Sequence, residues 1–433
     1  MSLGPDSECH TAGDSRLLTR LGTRRWSAPV GFLLLSAVLA GWVWLSDRFF
    51  GHSAEHPETV FPGSGLLGGW VHFDASWYRY IAEVGYELRP GQQSNVAFFP
   101  LYPLVMRPLR GMFGSSFGAG MAITFGCGLA GVTLFQAWCR QRVSPIPSAT
   151  ASPGIEPIRR LGAGERGAAL ALLLLYPYVW YLVGAVYADA LFLVTTLSAF
   201  LLLERGHPVA AGVVGALAAA TRPVGPAVVI GMAVRQLERR GALRTTTRTW
   251  RNRTWALPIG VSWRMLRPAD AGVLLAGVGF AAYSLYLWVR FDDPLLFSTV
   301  QKYWNQPSGP VTWLKLHLAG ITLLKFADRW LYIIGCVFQG LLSVGSLLLV
   351  GRIRRRFGWG YAALVLFLMG IPVLGSKDFQ GLGRYLLAAF PVFAWAGTWL
   401  VRQPRHRQRL VLAGSALTLV VWSHLYARGY YVA

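Results

Sequence analysis

The stretch His72-Phe73-Asp74-Ala75-Ser76-Trp77-Tyr78 sets a carboxylate one helical turn from a phenol. Trp70, Phe73, Trp77, Ile81 and Val84 recur around it at helical spacing, so an amphipathic helix lying in a membrane interface is expected, with Asp74 and Tyr78 beside its apolar stripe. An acid placed there reaches a lipid head group and can take a proton from an acceptor hydroxyl. The bland alternative is an acid that only complements a helix dipole. Asp189, beside Tyr187, opens an apolar run in a stretch otherwise uncharged from 167 to 203, and such an acid needs a partner or a task. Arg222, in Thr221-Arg222-Pro223, is the obvious partner, as half of a structural ion pair or as a cation that binds an anion.

Lys302 in Gln301-Lys302-Tyr303-Trp304, Lys377 and Arg384 fall in loops expected to lie outside the cell. Snorkelling at helix ends explains such cations simply. External positive charge nevertheless runs against the usual orientation bias, which raises the chance of a function for each. The run from Asn95 to Pro103 joins Phe98, Phe99 and Tyr102 to rigid prolines, suited either to stacking on sugar rings or to an interfacial aromatic belt.

The elements that must position these residues are membrane spans. The 433 residues are 54% hydrophobic and 14% charged, with a mean hydropathy of +0.42, whereas a soluble domain carries about a quarter of its residues charged. A formal charge of +22 suggests nucleic acid, but the basic residues sit in blocks at 16–25, 140–166, 235–267, 352–356 and 402–409, between apolar runs. That is the positive-inside pattern, so membrane lipids are expected as partners and nucleic acid is not. Cys127 and Cys336 lie in apolar runs, and Cys9 and Cys139 have no partner at metal-ligand spacing, so neither a disulfide nor a zinc site is implied.

Residues 29–45 are expected to form a retained signal anchor, leaving 1–28 as a cytoplasmic tail and 29–433 as one membrane domain with an external loop at 47–95. That loop holds Asp47, Glu55, Glu58, Asp74, Glu83 and Glu87. Pro100, Pro103 and Pro108 break 97–113 into an interfacial or re-entrant segment. Further spans are expected at 116–138, 167–184, 188–203, 271–289, 331–350, 361–374, 385–401 and 410–426. Parity requires two half-helices within 208–234, meeting near Thr221-Arg222-Pro223 and bringing an arginine to membrane depth. The expectation is an all-α polytopic membrane protein of about 11 transmembrane segments, with the amphipathic helix in its first external loop. Loops 47–95, 291–328 and 375–384 and the Tyr187 turn then share one face, away from the cytoplasm and its nucleotide sugars, while 235–267 lies inside.

Phe73-Asp74, Trp77-Tyr78, Ile81-Ala82 and Gly85-Tyr86, the run from Ala97 to Pro103, Thr221-Arg222-Pro223 with Gly225, Asp293-Pro294-Leu295 with Gln301 and Trp304, and Arg384-Tyr385-Leu386 with Phe390-Pro391 follow one another in a known order. In these blocks the chain resembles the second GPI mannosyltransferase kind, the PIG-V type, and its bacterial relatives within the GT-C superfamily of membrane glycosyltransferases. The blocks run from about residue 70 to residue 391. Two positions depart from the pattern: Phe73 stands where the family has Trp, and Tyr187-Ala188-Asp189 where it has Tyr-Ser-Glu.

The resemblance implies a GT-C-type bundle that transfers mannose with inversion from polyprenyl-phosphate mannose, with no cofactor or metal required. It casts Asp74 as the base, and Arg384, Arg222, Lys377 and Lys302 as ligands of the donor phosphate. His72, Trp77, Tyr78, Phe99, Tyr102, Asp189, Gln301 and Tyr385 would contact substrate. The acceptor would be a glycan, lipid, polymer or protein. Four lysines against a large excess of arginine, and an end at Tyr430-Tyr431-Val432-Ala433 without a retention signal, suggest a bacterial plasma membrane with the site facing outside. A transporter or flippase of a lipid-linked or anionic substrate is the competing class, since it too uses broken helices and buried ions. The lack of two similar halves, and the acids gathered in an external loop, weigh against it. A non-catalytic receptor or scaffold explains the hydropathy but not the clustered ions.

Overall fold

The computed structural model describes residues 13–53, 65–141, 160–250, 253–306 and 309–432. The first twelve residues of the expected tail with Cys9, Glu55 and Glu58, and most of the basic block at 140–166 lie outside the described residues.

Helix α1 (Gly13–Thr23) leads into α2 (Ser27–Phe49), the expected first span. Ala28, Phe32, Leu39 and Val43 recur at helical spacing on its buried face, while Leu34 and Val38 face outward, as a lipid-facing flank allows. Helix α3 (Asp74–Glu83) is the expected interfacial helix. Its buried face is Ala75, Tyr78, Ile81 and Ala82, so Tyr78 points inward, whereas Val84 of the expected stripe is exposed. The offset arises because Trp70 and Phe73 precede the helix, in a 3-10 turn at Gly65–Trp70 and in the residue before Asp74. The proline-rich segment makes only the nine-residue α4 (Leu101–Leu109), before the long α5 (Ser116–Arg140).

The expected span at 167–184 stops early. Helix α6 (Ala163–Leu174) ends ahead of Pro177, which cannot continue it, and a buried 3-10 turn (Val179–Leu182) follows. Helix α7 (Asp189–Glu204) is buried on all sides and packs on α5 and, beyond it, on α8 (Pro208–Ala219). Helices α8 and α9 (Pro226–Arg239) are the two expected half-helices, parted by the segment that carries Arg222. An antiparallel hairpin, β1 (Leu243–Trp250) with β2 (Arg253–Val261), then interrupts the otherwise helical chain inside the expected basic loop. Thr245 and Thr246 favour strand through their branched Cβ.

A 3-10 stretch at Pro268–Gly277 runs into α10 (Val278–Phe291). Short helices α11 (Leu296–Thr299), α12 (Pro310–Trp313) and α13 (Leu316–Leu324) lead to α14 (Phe326–Leu348). Then come α15 (Val350–Phe357), α16 (Trp359–Gly375), α17 (Leu382–Tyr385), α18 (Phe390–Val401) and α19 (Arg405–Ala427). The expected span at 385–401 is bent by 83° between Leu382–Ala388 and Phe390–Val401, with Pro391 at the start of the second piece.

Among the described residues five helices are long and apolar enough to cross a membrane, or six with the bent pair. Shorter apolar helices, α8 and α16 among them, fill the bundle between these. The loops expected to share a face do meet. Arg384 touches Asp74, Tyr187 receives the Asp74 N–H, Trp304 packs on Trp77, and Gln306 accepts the Lys377 N–H.

Candidate active site

Asp74 is the first residue of α3, where the helix dipole favours a negative charge. Its backbone N–H donates to the Tyr187 hydroxyl at 3.2 Å. Phe73, just before it, holds φ at 53°, a backbone state that costs a residue with a β-carbon about 1–3 kcal/mol. The Phe73 ring meets Tyr431 edge-on at 4.6 Å and leans on Tyr426 at 6.0 Å, so the end of the chain holds this corner in place.

The Asp74 Oδ2 accepts from Arg384 Nη1 at 3.1 Å, and both side chains keep some exposure, 15% and 12%. Arg384 sits in α17, with its guanidinium 4.9 Å from the Tyr187 ring and 5.7 Å from the Tyr181 ring, both cation–π distances. Its Nε is buried and has no hydrogen-bond partner among the described residues.

The second pair adjoins the first through sequence. Tyr385, next to Arg384, places its ring 4.0 Å below the Arg222 guanidinium, and Arg222 donates to Asp189 Oδ1. Arg222 sits in the α8–α9 break, and Asp189 begins α7. Asp189 is 2% exposed, and its Oδ2 lacks a partner. Tyr78 packs edge-on against Tyr187 at 6.3 Å, and burial followed by the Asp74 charge pushes its phenol up, keeping it neutral.

Asp74, Tyr78, Asp189, Arg222, Arg384 and Tyr385 are therefore brought together, and the other sequence candidates lie elsewhere. His72 is buried and turned toward the end of α19, with Nε2 3.2 Å from the Ala427 carbonyl. Tyr102 packs against Tyr78, but its hydroxyl donates to the Gly120 carbonyl at 2.8 Å, tying α4 to α5. Phe99 belongs to a separate aromatic cluster with Phe280, Tyr283 and Phe297. Gln301 donates to its own helical neighbour, the Phe297 carbonyl. Lys302 is exposed, its ammonium 4.9 Å from the Tyr303 ring. Lys377 donates its backbone N–H to Gln306, and among the described residues no hydrogen bond or ion pair joins either lysine to the two acids. Trp77 faces outward beside Phe98 and Trp304.

Sequence reasoning missed the groups that fix Arg384. The Gly383 N–H donates to Gln339 Oε1 at 2.9 Å, and the Gly383 carbonyl accepts from the Tyr176 hydroxyl at 2.8 Å. A Cβ on Gly383 would lie 2.3 Å from the Tyr178 ring, so only glycine fits. Buried Asp378, in the same loop, accepts from the Tyr332 hydroxyl at 2.6 Å. Gln339 left a readable trace, being an amide within the apolar run 331–350, where a polar side chain needs a partner.

A different charge cluster occupies the far end of α7. Arg235 donates through Nε and Nη2 to Glu204 at 2.6 and 3.2 Å and through Nη1 to Glu238 at 2.7 Å. Glu204 also accepts from the Tyr361 hydroxyl, and Glu238 from the Trp359 N–H, each at 2.9 Å.

Fold and site together define a polytopic, all-α membrane protein with an acid–arginine centre, one pair buried and one partly exposed, at one end of its core helix. In sequence, part of the chain is similar to a GPI mannosyltransferase. It is 28% identical over 243 residues to GPI alpha-1,6-mannosyltransferase 2 of Cricetulus griseus, covering 53% of this chain, and 31% identical over 170 residues to that of Mus musculus, covering 37%. The matched parts span 42% and 30% of those relatives' own lengths. No family model matches. The solved structure of ArnT from Cupriavidus metallidurans bound to undecaprenyl phosphate aligns with 93% of this chain and 77% of its own, at 15% identity and a TM-score of 0.48.

Proposed function

We propose that the protein is an inverting glycosyltransferase of the GT-C type, moving a sugar, mannose by its sequence likeness, from a polyprenyl-phosphate carrier to a lipid, polymer or protein acceptor on the non-cytoplasmic face. The observation that carries this reading is the half-open Asp74–Arg384 pair, a base and a phosphate-type cation in one contact. An inverting displacement needs a base on the acceptor side of the sugar and positive charge at the departing phosphate. In the structure the two groups neutralise each other. The donor's phosphodiester draws Arg384 onto its oxygens, using the unpartnered Nε, and so frees the Asp74 carboxylate. The acceptor oxygen then bonds to the anomeric carbon, the bond from that carbon to the phosphate oxygen breaks with its electron pair leaving on the lipid phosphate, and Asp74 takes the acceptor proton. Asp189 is the poorer base, being buried and committed to Arg222, whose charge it holds beside Tyr385.

Purified protein in liposomes, given radiolabelled polyprenyl-phosphate mannose or GDP-mannose with a membrane extract as acceptor, tests the donor. Label is expected in product only from the lipid-linked sugar. Direct use of GDP-mannose would sink the proposal, and vectorial movement of the lipid without sugar transfer would favour the transporter class. Sidedness is tested by cysteines at the exposed positions Gln92 and Ile259 in intact cells. An impermeant reagent is expected to label the first and spare the second, and the reverse pattern would invert the topology.

A further inference from the structure

A shallow groove of about 170 Å³ opens on the outer flank of α3, between Ser76, Trp77 and Tyr80 on one side and Glu87, Arg89 and Asn95 on the other. That is smaller than the roughly 300–1,000 Å³ of sites that take drug-sized molecules, so the groove suits one small ring. Trp77 stands three residues after Asp74, on the neighbouring part of the same helix surface, so the groove approaches the site from the side of the proposed base.

Its wall is preorganised. Tyr80 donates to Glu87 Oε2 at 2.6 Å, Arg89 Nη2 donates to that same oxygen at 3.1 Å, and the Arg89 guanidinium lies 5.8 Å from the Tyr80 ring. Both bonds converge on one carboxylate oxygen, which leaves Oε1 and the other Arg89 nitrogens available to a ligand. The Tyr80 hydrogen bond and then Arg89 hold the Glu87 carboxyl below its ordinary range, keeping it ionised.

The loop bearing these groups is clipped by two buried side chains. Asn95 accepts the Glu87 N–H at 2.9 Å and donates to the Gly85 carbonyl at 2.9 Å, while Ser94 accepts the Arg89 N–H at 2.9 Å. Exposed ion pairs contribute little to stability, about 0–1 kcal/mol, so two buried polar side chains spent on fixing Glu87 and Arg89 need another reason. Trp77, backed by Phe98 at 6.0 Å and by Trp304 at 5.2 Å, adds an aromatic surface. An aromatic plane beside a fixed carboxylate and guanidinium matches a sugar ring, whose C–H face stacks on indole while its hydroxyls both donate and accept.

We propose that this groove, formed by Trp77, Tyr80, Glu87 and Arg89, is a saccharide subsite that holds the acceptor sugar for attack at Asp74. The assignment to the acceptor rests on the transferase reading. The donor's sugar offers the same chemistry, and the experiment separates the two.

Wild type and the variants Glu87→Ala, Arg89→Ala and Tyr80→Phe are reconstituted with polyprenyl-phosphate mannose as donor and a set of hexyl mannoside, hexyl glucoside and hexyl glucosaminide as acceptor probes. For the glycoside used by wild type, Glu87→Ala and Arg89→Ala are expected to raise the acceptor KM roughly 10- to 100-fold, the worth of a hydrogen bond to a charged group, with the donor KM little changed. Tyr80→Phe should raise the acceptor KM less. An acceptor KM within twofold of wild type in all three variants overturns the proposal, as does a rise in donor KM alone, which would give the groove to the donor sugar. Saturation-transfer NMR with the same glycosides reads the groove without turnover. If wild type transfers no sugar yet gives a glycoside signal that Glu87→Ala abolishes, the saccharide site stands and the transferase reading falls. No signal with any of the three glycosides, or equal signals in wild type and variant, overturns the site itself.

Discussion

Helix α7 carries a buried carboxylate at each end, Asp189 at its start and Glu204 at its close, about 22 Å apart at 1.5 Å per residue, and the two are treated differently. At the Glu204 end all three Arg235 nitrogens donate to carboxylates, and both oxygens of Glu204 and of Glu238 are engaged. Two nitrogens without a hydrogen bond remain at its edge, the buried Arg239 Nε, 3.7 Å from Glu204, and the Trp359 Nε1. At the Asp189 end valences stay open where the two pairs adjoin, on Asp189 Oδ2, Arg384 Nε and the Tyr181 hydroxyl. Burying charge costs several kcal/mol per ion unless it is bonded, so the closed network reads as a fastening of helices, and the open one as a place kept ready for a ligand with polar groups of its own.

The sharpest break in this contrast is Asp74→Asn, which keeps size and removes basicity. Turnover is expected to fall roughly 100- to 10,000-fold at equal folded protein, with yield unchanged. A rate within about threefold of wild type would remove Asp74 from the role of base. Arg384→Ala comes next, with an expected loss of about 100- to 1,000-fold in kcat/KM for the lipid-linked donor, the scale of one missing charge-stabilising group. An unchanged donor dependence would show that the lipid phosphate binds elsewhere.

The third comparison is one of stability. Glu204→Gln weakens the closed network, and Asp189→Asn leaves Arg222 buried without its counter-charge, a loss of about 3–5 kcal/mol where a buried pair is broken. Both should lower the melting temperature in detergent, and the Glu204 variant should keep the turnover number of its folded fraction. Asp189→Asn with normal melting but lost turnover would instead make Asp189 a second acid in the chemistry. Smallest is Tyr385→Leu, which removes the ring under Arg222 and should cost about 1–2 kcal/mol, read as a modest fall in donor affinity.

The sequence carried the open end further than the closed one. Charges in apolar surroundings are conspicuous, so Asp74, Asp189, Arg222 and Arg384 could be picked out singly, and the parity of the basic loops forced the α8–α9 break that sets Arg222 at depth. Glu204 and Arg235 stand at the ends of apolar runs, where nothing in the sequence marks them as partners, because their pairing links residues 31 apart. The aromatics were ambiguous for another reason. Phe99 and Tyr102 share a composition with sugar-binding segments, but only packing distinguishes a stacking platform from a core ring. Helix lengths at 167–184 and 385–401 were misjudged where Pro177 and Pro391 turn the chain inside an apolar run, since hydropathy does not register direction.

The positive φ at Phe73 bears on how the protein is handled in the laboratory. The residues that hold that corner come from the last turn of the chain: Tyr431 against the Phe73 ring, Ala427 facing His72, and the Arg428 carbonyl taking the Ser53 N–H at 2.8 Å. An affinity tag inserted directly after Tyr431 would pull on the contacts that hold Asp74 in register. A preparation purified that way would be well folded by every bulk measure and still underactive, whereas a long flexible spacer on either side of the tag would leave the corner undisturbed.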